Sequence, residues 1–231
     1  MKNIGIIQPG RLGDLIICLP IAKYYNSKGF YVYWPIFKQF VEMFKEAAPD
    51  INFIPVTDNV WNCVPESIKT LKEIGVNKVL DIAATFPGSN CTDEYVTLGD
   101  GFGQEKFDEF KYRKAKVPFT NKWELIYNRN LDKELEVYNQ YVKQEKYDVV
   151  GLKHSRGEAN VQVLSKSQII FINENHSIFH WRKILENADN IVLVDSAMAN
   201  FVEQLNLTNK KILVQKPGQP TPTIKNEWRV K

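Results

Sequence analysis

Cysteine is scarce in this 231-residue sequence, and its spacing excludes the common cysteine-based frameworks. The three cysteines, Cys18, Cys63 and Cys91, lie far apart along the chain. Zinc knuckles and disulfide-stapled domains need cysteines paired at short spacing, so neither class fits. Because unpaired cysteines are typical of a reducing compartment, we expect a cytoplasmic protein.

Long apolar runs and runs of like charge are also missing. The first apolar run ends at Pro9 and Gly10, too early for a signal peptide or a membrane span. The 30 basic and 27 acidic residues give a net charge of +3, which permits a strongly charged partner without requiring one. The most basic stretch, residues 111–116 (KYRKAK), has the composition of a solvated helix face.

Two familiar nucleotide-binding signatures are absent as well. Gly10 and Gly13 lack the third glycine of the dinucleotide fingerprint, and no suitable acidic residue follows the second predicted strand. The chain has no P-loop sequence either. These absences argue against a nicotinamide-dependent dehydrogenase.

Strand-like and helix-like segments nevertheless alternate along the chain. Apolar runs predict strands at residues 4–7, 30–34, 51–56, 76–82, 147–152, 168–172, 190–194 and 211–215. Patterns of helical period predict helices at residues 15–25, 36–47, 65–74, 104–116, 131–145, 177–187 and 196–205. This alternation predicts parallel sheets covered by helices, in two tandem Rossmann-like domains of residues 1–145 and 146–231.

Two segments are distinctive within this pattern. Helix 131–145 has an apolar stripe of Leu131, Leu135, Tyr138 and Val142, which predicts its buried face. Residues 83–103 are rich in glycine and interrupt the alternation. Such a long loop is either a disordered connector or a functional segment, for example one that grips an acceptor molecule.

The segment from Ile4 to Pro20 reads as a strand, a glycine-bearing turn and a helix start. Gly10 and Gly13 tolerate positive φ and close backbone approach, and Asp14 stands where a helix N-terminus would begin. The turn has a purely structural interpretation, with Asp14 as a helix cap. It also has a functional one, because ligands bind at the carboxyl ends of parallel strands.

The sequence Gly10-Arg11-Leu12-Gly13-Asp14, followed by Leu19-Pro20, resembles the N-terminal signature of glycosyltransferase family nine, the heptosyltransferase-like enzymes. The resemblance implies the GT-B architecture, in which two Rossmann-like domains face a cleft. It also implies that Asp14 is the general base of an inverting transfer that needs no metal. The first domain would hold the acceptor and the second the nucleotide-sugar donor.

A second strand-turn-helix, residues 191–205, places Asp195 and Ser196 at the carboxyl end of a strand. The family has at this place Asp, Ser or Thr, Gly, two variable residues and His, and the helix start there holds the donor diphosphate. Free N–H groups and a hydroxyl suit that task. This chain departs from the pattern, since Ala197 replaces the glycine and Asn200 the histidine.

Further candidates follow the other predicted strands of the second half. Lys153, Arg156 and Lys216 are basic residues that would neutralise a diphosphate leaving group. Glu174 is placed to accept hydrogen bonds from ribose hydroxyls. His176 and His180 have the spacing of a metal pair, but no acidic ligand accompanies them, so we expect no metal.

The expected activity is inverting transfer of a sugar from a nucleotide-diphosphate sugar, a co-substrate rather than a cofactor, to a hydroxyl acceptor. A surface glycan is one candidate acceptor. A hydroxymethylated DNA base, as in phage-type enzymes, is another, because residues 107–123 are basic and aromatic. The alternative is a non-catalytic nucleotide-binding or assembly module, which Ala197 and Asn200 favour.

Overall fold

The computed structural model describes residues 2–83, 86–89, 105–154, 157–163, 165–215, 221–225 and 227–230. It divides into two compact units, Met1–Asn128 and Arg129–Lys231. The helix predicted at residues 131–145 therefore belongs to the second unit. The boundary lies before this helix, whereas the sequence pattern placed it after residue 145.

The first unit is built on a parallel four-stranded sheet with β1 and β2 at its centre. The strand order β3-β2-β1-β4 is that of a doubly wound sheet. In chain order its elements are β1 (Lys2–Ile7), α1 (Leu12–Ser27), β2 (Phe30–Phe37), α2 (Val41–Ala47), β3 (Asn52–Val56), α3 (Cys63–Glu73), β4 (Val79–Asp81) and α4 (Phe107–Ala115). Short 3-10 turns occupy Lys38–Phe40 and Phe119–Trp123.

The second unit has a parallel five-stranded sheet of order β11-β10-β9-β5-β8. A separate two-stranded hairpin, β6 with β7, is antiparallel. In chain order the elements are α5 (Leu131–Tyr141), β5 (Tyr147–Gly151), β6 (Lys153–His154), β7 (Gly157–Glu158), β8 (Gln168–Phe171), α6 (Arg182–Asn187), β9 (Asn190–Val194), α7 (Ala197–Gln204), β10 (Lys210–Val214) and β11 (Trp228–Val230). The predicted mixed α/β class with parallel sheets is confirmed.

The core of the first unit lies between β1 and its covering helices. Ile4 and Ile6 of β1 are fully buried, and so is every residue of α1 from Leu15 to Ile17. Gly5 is small because α3 packs directly on it: a Cβ there would lie 2.7 Å from Cδ1 of Leu71. The strand is therefore covered on both faces, as its uninterrupted apolar run predicts.

Strand β2 is longer than predicted. It continues through Pro35 to Phe37, since the fixed φ of proline is compatible with an extended strand. The helix predicted from residue 36 consequently starts later, as a 3-10 turn followed by α2.

The buried face of α5 is not the predicted apolar stripe. Leu131 and Leu135 are 63% and 44% exposed, whereas Glu134 and Val137 are buried. Glu134 is buried because its carboxylate accepts from the Arg129 guanidinium, Nε to Oε1 at 2.8 Å. An ion pair between the buried Glu134 carboxylate and the partly exposed Arg129 guanidinium, rather than leucine packing, orients this helix.

Among the helices of the described residues, none is long and apolar enough to cross a bilayer. Of the long loop predicted at residues 83–103, positions 84, 85 and 90–103 lie outside the described residues, so its two interpretations stay predictions.

Candidate functional site

The turn after β1 is held rigidly by hydrogen bonds. Gln8 is fully buried. Its side chain donates to the carbonyl of Gly10 at 2.9 Å, and its own carbonyl accepts from Nε1 of Trp34 at 3.0 Å. At Gly10 a Cβ would lie 2.1 Å from the ring of Phe37, so only glycine fits beside it.

Helix α1 begins earlier than predicted. Its N-cap is Arg11, with φ of +59° and no capping side chain, so Gly13 lies inside the helix rather than in the turn. Asp14 is the third helical residue, in the first turn, and not the cap. The positive φ of Arg11 is unfavourable for a residue with a side chain, and backbone strain of this kind is concentrated at functional turns.

Asp14 is paired with a buried lysine that sequence analysis missed. Nζ of Lys111, on α4, lies 3.4 Å from Oδ1 of Asp14, and the two side chains are 2% and 14% exposed. Nζ also donates to the carbonyl of Ile82 at 3.0 Å and to Oε1 of Gln8. The lysine fixes the Asp14 carboxylate and balances its charge. Because the carboxylate is partly exposed, a substrate can still reach it.

Lys111 belongs to the basic stretch that was predicted to be a solvated helix face. That prediction is wrong for Lys111 and Tyr112, which are buried. The sequence signal was the aromatic residues: Phe110 and Tyr112 flank Lys111 within a helix rich in charged residues. The Tyr112 hydroxyl donates to the carbonyl of Ile17 at 2.9 Å, which fixes α4 against α1.

Cys18 lies one turn beyond Asp14 on α1, but it is not placed for nucleophilic chemistry. It is fully buried. Desolvation by burial raises the pKa of its thiol to about 12, although the nearby Lys111 ammonium acts in the opposite direction. The thiol therefore stays protonated at neutral pH.

A cavity of about 680 Å³ opens at the same edge of the sheet as Asp14, where β2 and β3 end. Its polar lining comes from Lys38, Gln39, Thr57, Asp58 and Glu66. Lysine, amide, hydroxyl and carboxylate groups together can donate and accept hydrogen bonds, as sugar hydroxyls require. Lys38 of the cavity lining directly follows Phe37 in the chain. The N–H of Phe37 donates to the carbonyl of Pro9, in the turn after β1, at 2.7 Å.

Trp61 lies on the turn that follows the lining residues Thr57 and Asp58 in the chain, and it is 70% exposed. The turn is ordered by Asn59, whose side-chain oxygen accepts from the N–H of Trp61 at 2.9 Å. The N–H of Asn59 in turn donates to Oγ1 of Thr57 at 3.2 Å. The backbone at Trp61 is therefore ordered, and its exposed indole is a suitable surface for stacking against a sugar ring.

The second unit places Asp195 and Ser196 where β9 meets α7, as predicted. Ser196 is the N-cap of α7 in an extended conformation, and its side chain makes no capping hydrogen bond. Ala197 is the first helical residue. Asn200 is 7% exposed, and its N–H donates to the carbonyl of Ser196 at 3.1 Å.

The remaining predicted donor residues follow neighbouring strands of this sheet. Lys153 follows β5 and is exposed in the β6–β7 hairpin, and Glu174 is exposed in the turn after β8. Because β5, β8 and β9 are parallel neighbours, both residues lie at the same edge as Ser196. Arg156 and Lys216 lie outside the described residues, so their roles stay predictions.

His176, one of the two histidines with the spacing of a metal pair, lies among aromatic rings. The ring of His176 packs edge-on against Tyr141, with 5.7 Å between the ring centres, and lies 6.2 Å from Trp181. Across the described segments, no group of three or more histidine, cysteine, aspartate or glutamate side chains is arranged to hold a metal ion.

Comparisons with known proteins bear on the fold of the chain. Neither a protein-family profile nor a curated protein sequence matches the chain. A glycosyl transferase family 9 structure from Veillonella parvula aligns with 100% of this chain and 85% of its own, with a TM-score of 0.65 and 11% identity.

Two Escherichia coli structures are also similar. ADP-heptose LPS heptosyltransferase II aligns with 100% of this chain and 90% of its own, with a TM-score of 0.60 and 12% identity. Heptosyltransferase WaaC with ADP-2-deoxy-2-fluoro heptose aligns with 100% of this chain and 93% of its own, with a TM-score of 0.54 and 10% identity. The chain thus has the fold of the family 9 heptosyltransferases, and the resemblance inferred from residues 10–20 is confirmed at that level.

Proposed function

We propose that this protein is an inverting glycosyltransferase that moves a sugar from a nucleotide-diphosphate sugar to a hydroxyl acceptor. The observation that carries the proposal is Asp14, a partly exposed carboxylate paired with buried Lys111 at the carboxyl edge of a parallel sheet. The fold is shared with family 9 heptosyltransferases, of which one was solved with a fluorinated ADP-heptose. Two tandem Rossmann-like domains of the GT-B type are part of the proposal.

In the proposed reaction, Asp14 accepts the proton of the acceptor hydroxyl as its oxygen bonds to the anomeric carbon. The bond from that carbon to the diphosphate breaks on the opposite face, and the diphosphate leaves with the electron pair. Inversion follows from this single displacement. Lys111 is a positioning residue here, because its Nζ bonds hold Asp14 and the turn together.

The donor is assigned to the second unit. The free N–H groups at the start of α7 and the Ser196 hydroxyl would hold the diphosphate, helped by Lys153 and, outside the described residues, Arg156 and Lys216. Asp195 and Asn200 would support this turn, and Glu174 would bind the ribose. Backbone dipoles and basic side chains would then neutralise the leaving group without a metal.

A glycan is the acceptor that the first unit supports better. The cavity beside β2 and β3 has mixed polar groups, and Trp61 offers a stacking surface near it. Of the five basic residues in the segment that suggested a DNA acceptor, Lys111 and Lys122 are buried and so are not available to contact DNA. A DNA acceptor would instead require binding that weakens steeply with salt.

The test uses two matched variants, each removing an acidic side chain from the first turn of a helix. Asp14→Asn should bind nucleoside diphosphates as the wild type does and lose at least about a hundredfold in transfer rate. Asp132→Asn, in the first turn of α5, should keep both. Donor binding is measured by thermal shift and transfer by mass spectrometry of the product.

Each other outcome has a distinct meaning. Full transfer by Asp14→Asn would remove Asp14 from the mechanism. Nucleotide binding by the wild type, with no transfer from any donor to any glycan or DNA acceptor, would favour the non-catalytic module. That alternative rests on the substitutions Ala197 and Asn200.

A further inference from the structure

Five lysines gather at the amino edge of the sheet in the first unit, opposite to the edge that carries Asp14. Lys2 opens β1, Lys28 precedes β2, and Lys78 precedes β4. Lys114 and Lys116 come from the C-terminal end of α4, and with Lys78 they line a cavity of about 360 Å³. We call these five residues the lysine edge.

Aromatic rings join the lysine edge into one surface. Nζ of Lys2 and Nζ of Lys78 lie 5.8 and 5.6 Å from the ring centre of Phe30. Nζ of Lys78 is also 5.3 Å from the ring centre of Tyr25. Lys2 and Lys78, from separate segments of the chain, therefore share cation–π contacts with the same ring.

Lys28 extends this surface along α1. Its Nζ lies 5.4 Å from the ring centre of Tyr24, which in turn packs edge-on against Tyr25 at 5.7 Å. Tyr31, the second residue of β2, is at the same edge and exposes 47% of its surface. Lysine and tyrosine thus alternate around one end of the sheet.

Four of the five lysines of the lysine edge are not engaged in ion pairs with any described residue. These four are Lys2, Lys28, Lys78 and Lys116. One carboxylate, Asp81, lines the cavity, and its Oδ1 accepts from Oγ of Ser89 at 2.7 Å. The four ammonium groups without an ion pair to a described residue are all on exposed side chains.

We propose that the lysine edge docks this protein on a bilayer surface rich in anionic lipids. Lysines near such a surface are attracted by its negative potential, and tyrosine is a residue of the membrane–water interface. The docking goes beyond the proposed transfer reaction and does not depend on it.

The composition of the surface favours a bilayer over a nucleic acid. Single-stranded nucleic acids need successive open aromatic faces for base stacking, but Tyr25 is 6% exposed, the ring of Phe30 lies under two ammonium groups, and Tyr31 is the more exposed ring at 47%. All five charges are lysines, whereas planar bidentate recognition of phosphates is the property of arginine. Clustered point charges at the end of a sheet suit a flat anionic surface.

Docking in this way has a geometric consequence. The two edges of the sheet are separated by the length of β1, six residues or about 20 Å. Asp14 would therefore lie about 20 Å from the docked edge, on the side of the sheet that faces away from the bilayer.

The test measures sedimentation with vesicles of phosphatidylcholine alone and of phosphatidylcholine mixed with phosphatidylglycerol. The full chain should bind only the mixed vesicles, and less as salt is added. The double variant Lys78→Glu/Lys116→Glu should bind them at least about tenfold more weakly. Both residues are exposed, so the fold should survive, as circular dichroism and thermal melting would verify.

The matched control is Lys133→Glu/Lys166→Glu, with the same change of charge at two exposed lysines of the second unit. It should keep most of the vesicle binding. The proposal is overturned if the wild type does not bind the mixed vesicles. It is also overturned if the lysine-edge variant and the control variant lose the same amount of binding. Salt-sensitive binding of duplex DNA without vesicle binding, abolished in Lys78→Glu/Lys116→Glu, would identify a nucleic-acid surface instead.

Discussion

Lys111 and Lys122 are buried lysines, and each lies beside a carboxylate. The Lys122 side chain is fully buried, and its Nζ lies 2.5 Å from Oδ2 of Asp108, which is fully buried as well. Nζ is also 4.5 Å from the ring centre of Trp123. Such an ammonium is stable in the interior only while its partners are present, because an unpaired buried charge is costly.

Removing one partner of this pair should therefore cost more than removing both. We expect Lys122→Met to lower the free energy of unfolding by about 3–5 kcal/mol, measured by urea denaturation. The double variant Asp108→Leu/Lys122→Met should recover most of that loss, since no unpaired charge remains. A loss below about 1 kcal/mol in Lys122→Met would mean that the pair is exposed to solvent.

Gly10 was a candidate for close approach to a ligand, and the structure supplies a packing reason for it. A Cβ at this position would lie 2.1 Å from the ring of Phe37. We expect Gly10→Ala to lower the free energy of unfolding by about 1–3 kcal/mol, the usual cost of overpacking. In the background Phe37→Ala the same change should cost little, because the ring is gone. Equal costs in both backgrounds would point to the backbone rather than to this contact.

The elements were predicted well where one physical signal dominated. Strand β9 has the predicted bounds because its apolar run is uninterrupted and polar residues flank it. Helix α5 was found, but its buried face was misjudged, since the partner of Glu134 is Arg129, which precedes the helix. Apolar periodicity carries no information about the ion pairs that bury a charged side chain. For the same reason Lys111, the partner of Asp14, was missed across a long separation in sequence.

The C-terminal end of α5 is also set by a residue that is distant in sequence. The helix stops at Tyr141 because the side chain of Gln168, at the start of β8, accepts from the N–H groups of Lys143 and Gln144 at 2.9 and 3.1 Å. Its amide nitrogen also donates to the carbonyl of Tyr141 at 2.7 Å. Such a cap from a distant strand cannot be read from local sequence.

Helix α6 is tied to the start of the second unit by Glu186. Oε1 of Glu186 accepts from Nε of Arg182 at 2.7 Å, and its carboxylate also accepts from both terminal nitrogens of Arg129, at 3.1 and 3.0 Å. Burial opposes its ionisation, but the hydrogen bonds from both arginines outweigh that effect and hold the pKa of Glu186 below its ordinary value.

This pKa predicts the direction of a pH effect. Because the folded-state pKa is lowered, ionised Glu186 stabilises the fold above its unfolded-state pKa of about 4.3, and the benefit is lost as pH falls through the folded value. Glu186→Gln should lower the Tm at pH 7, and its difference from the wild type should shrink toward about pH 3. Glu136→Gln removes an exposed partner of Lys133 and should change the Tm little. A Tm difference for Glu186→Gln that is constant with pH would contradict this role.

At the scale of the whole molecule, the sequence predicted two α/β halves but not where the chain divides. The strand orders were also beyond prediction, because pairing between parallel strands depends on contacts distant in sequence. The division before α5 follows from packing: Tyr141 stacks with Trp181, with 5.1 Å between ring centres, and Val137 is buried. A boundary after residue 145 would separate α5 from these partners.

Two fragments test where the second unit begins. Residues 129–231 keep Arg129, α5 and the Gln168 cap, so this fragment should unfold cooperatively in urea. Residues 146–231 lose the helix that covers Trp181 and leave Glu186 without Arg129, so this fragment should show little cooperative structure by circular dichroism and no protected amides in hydrogen exchange. Equal stability of the two fragments would place the boundary after residue 145. Failure of both would mean that the second unit needs the first in order to fold.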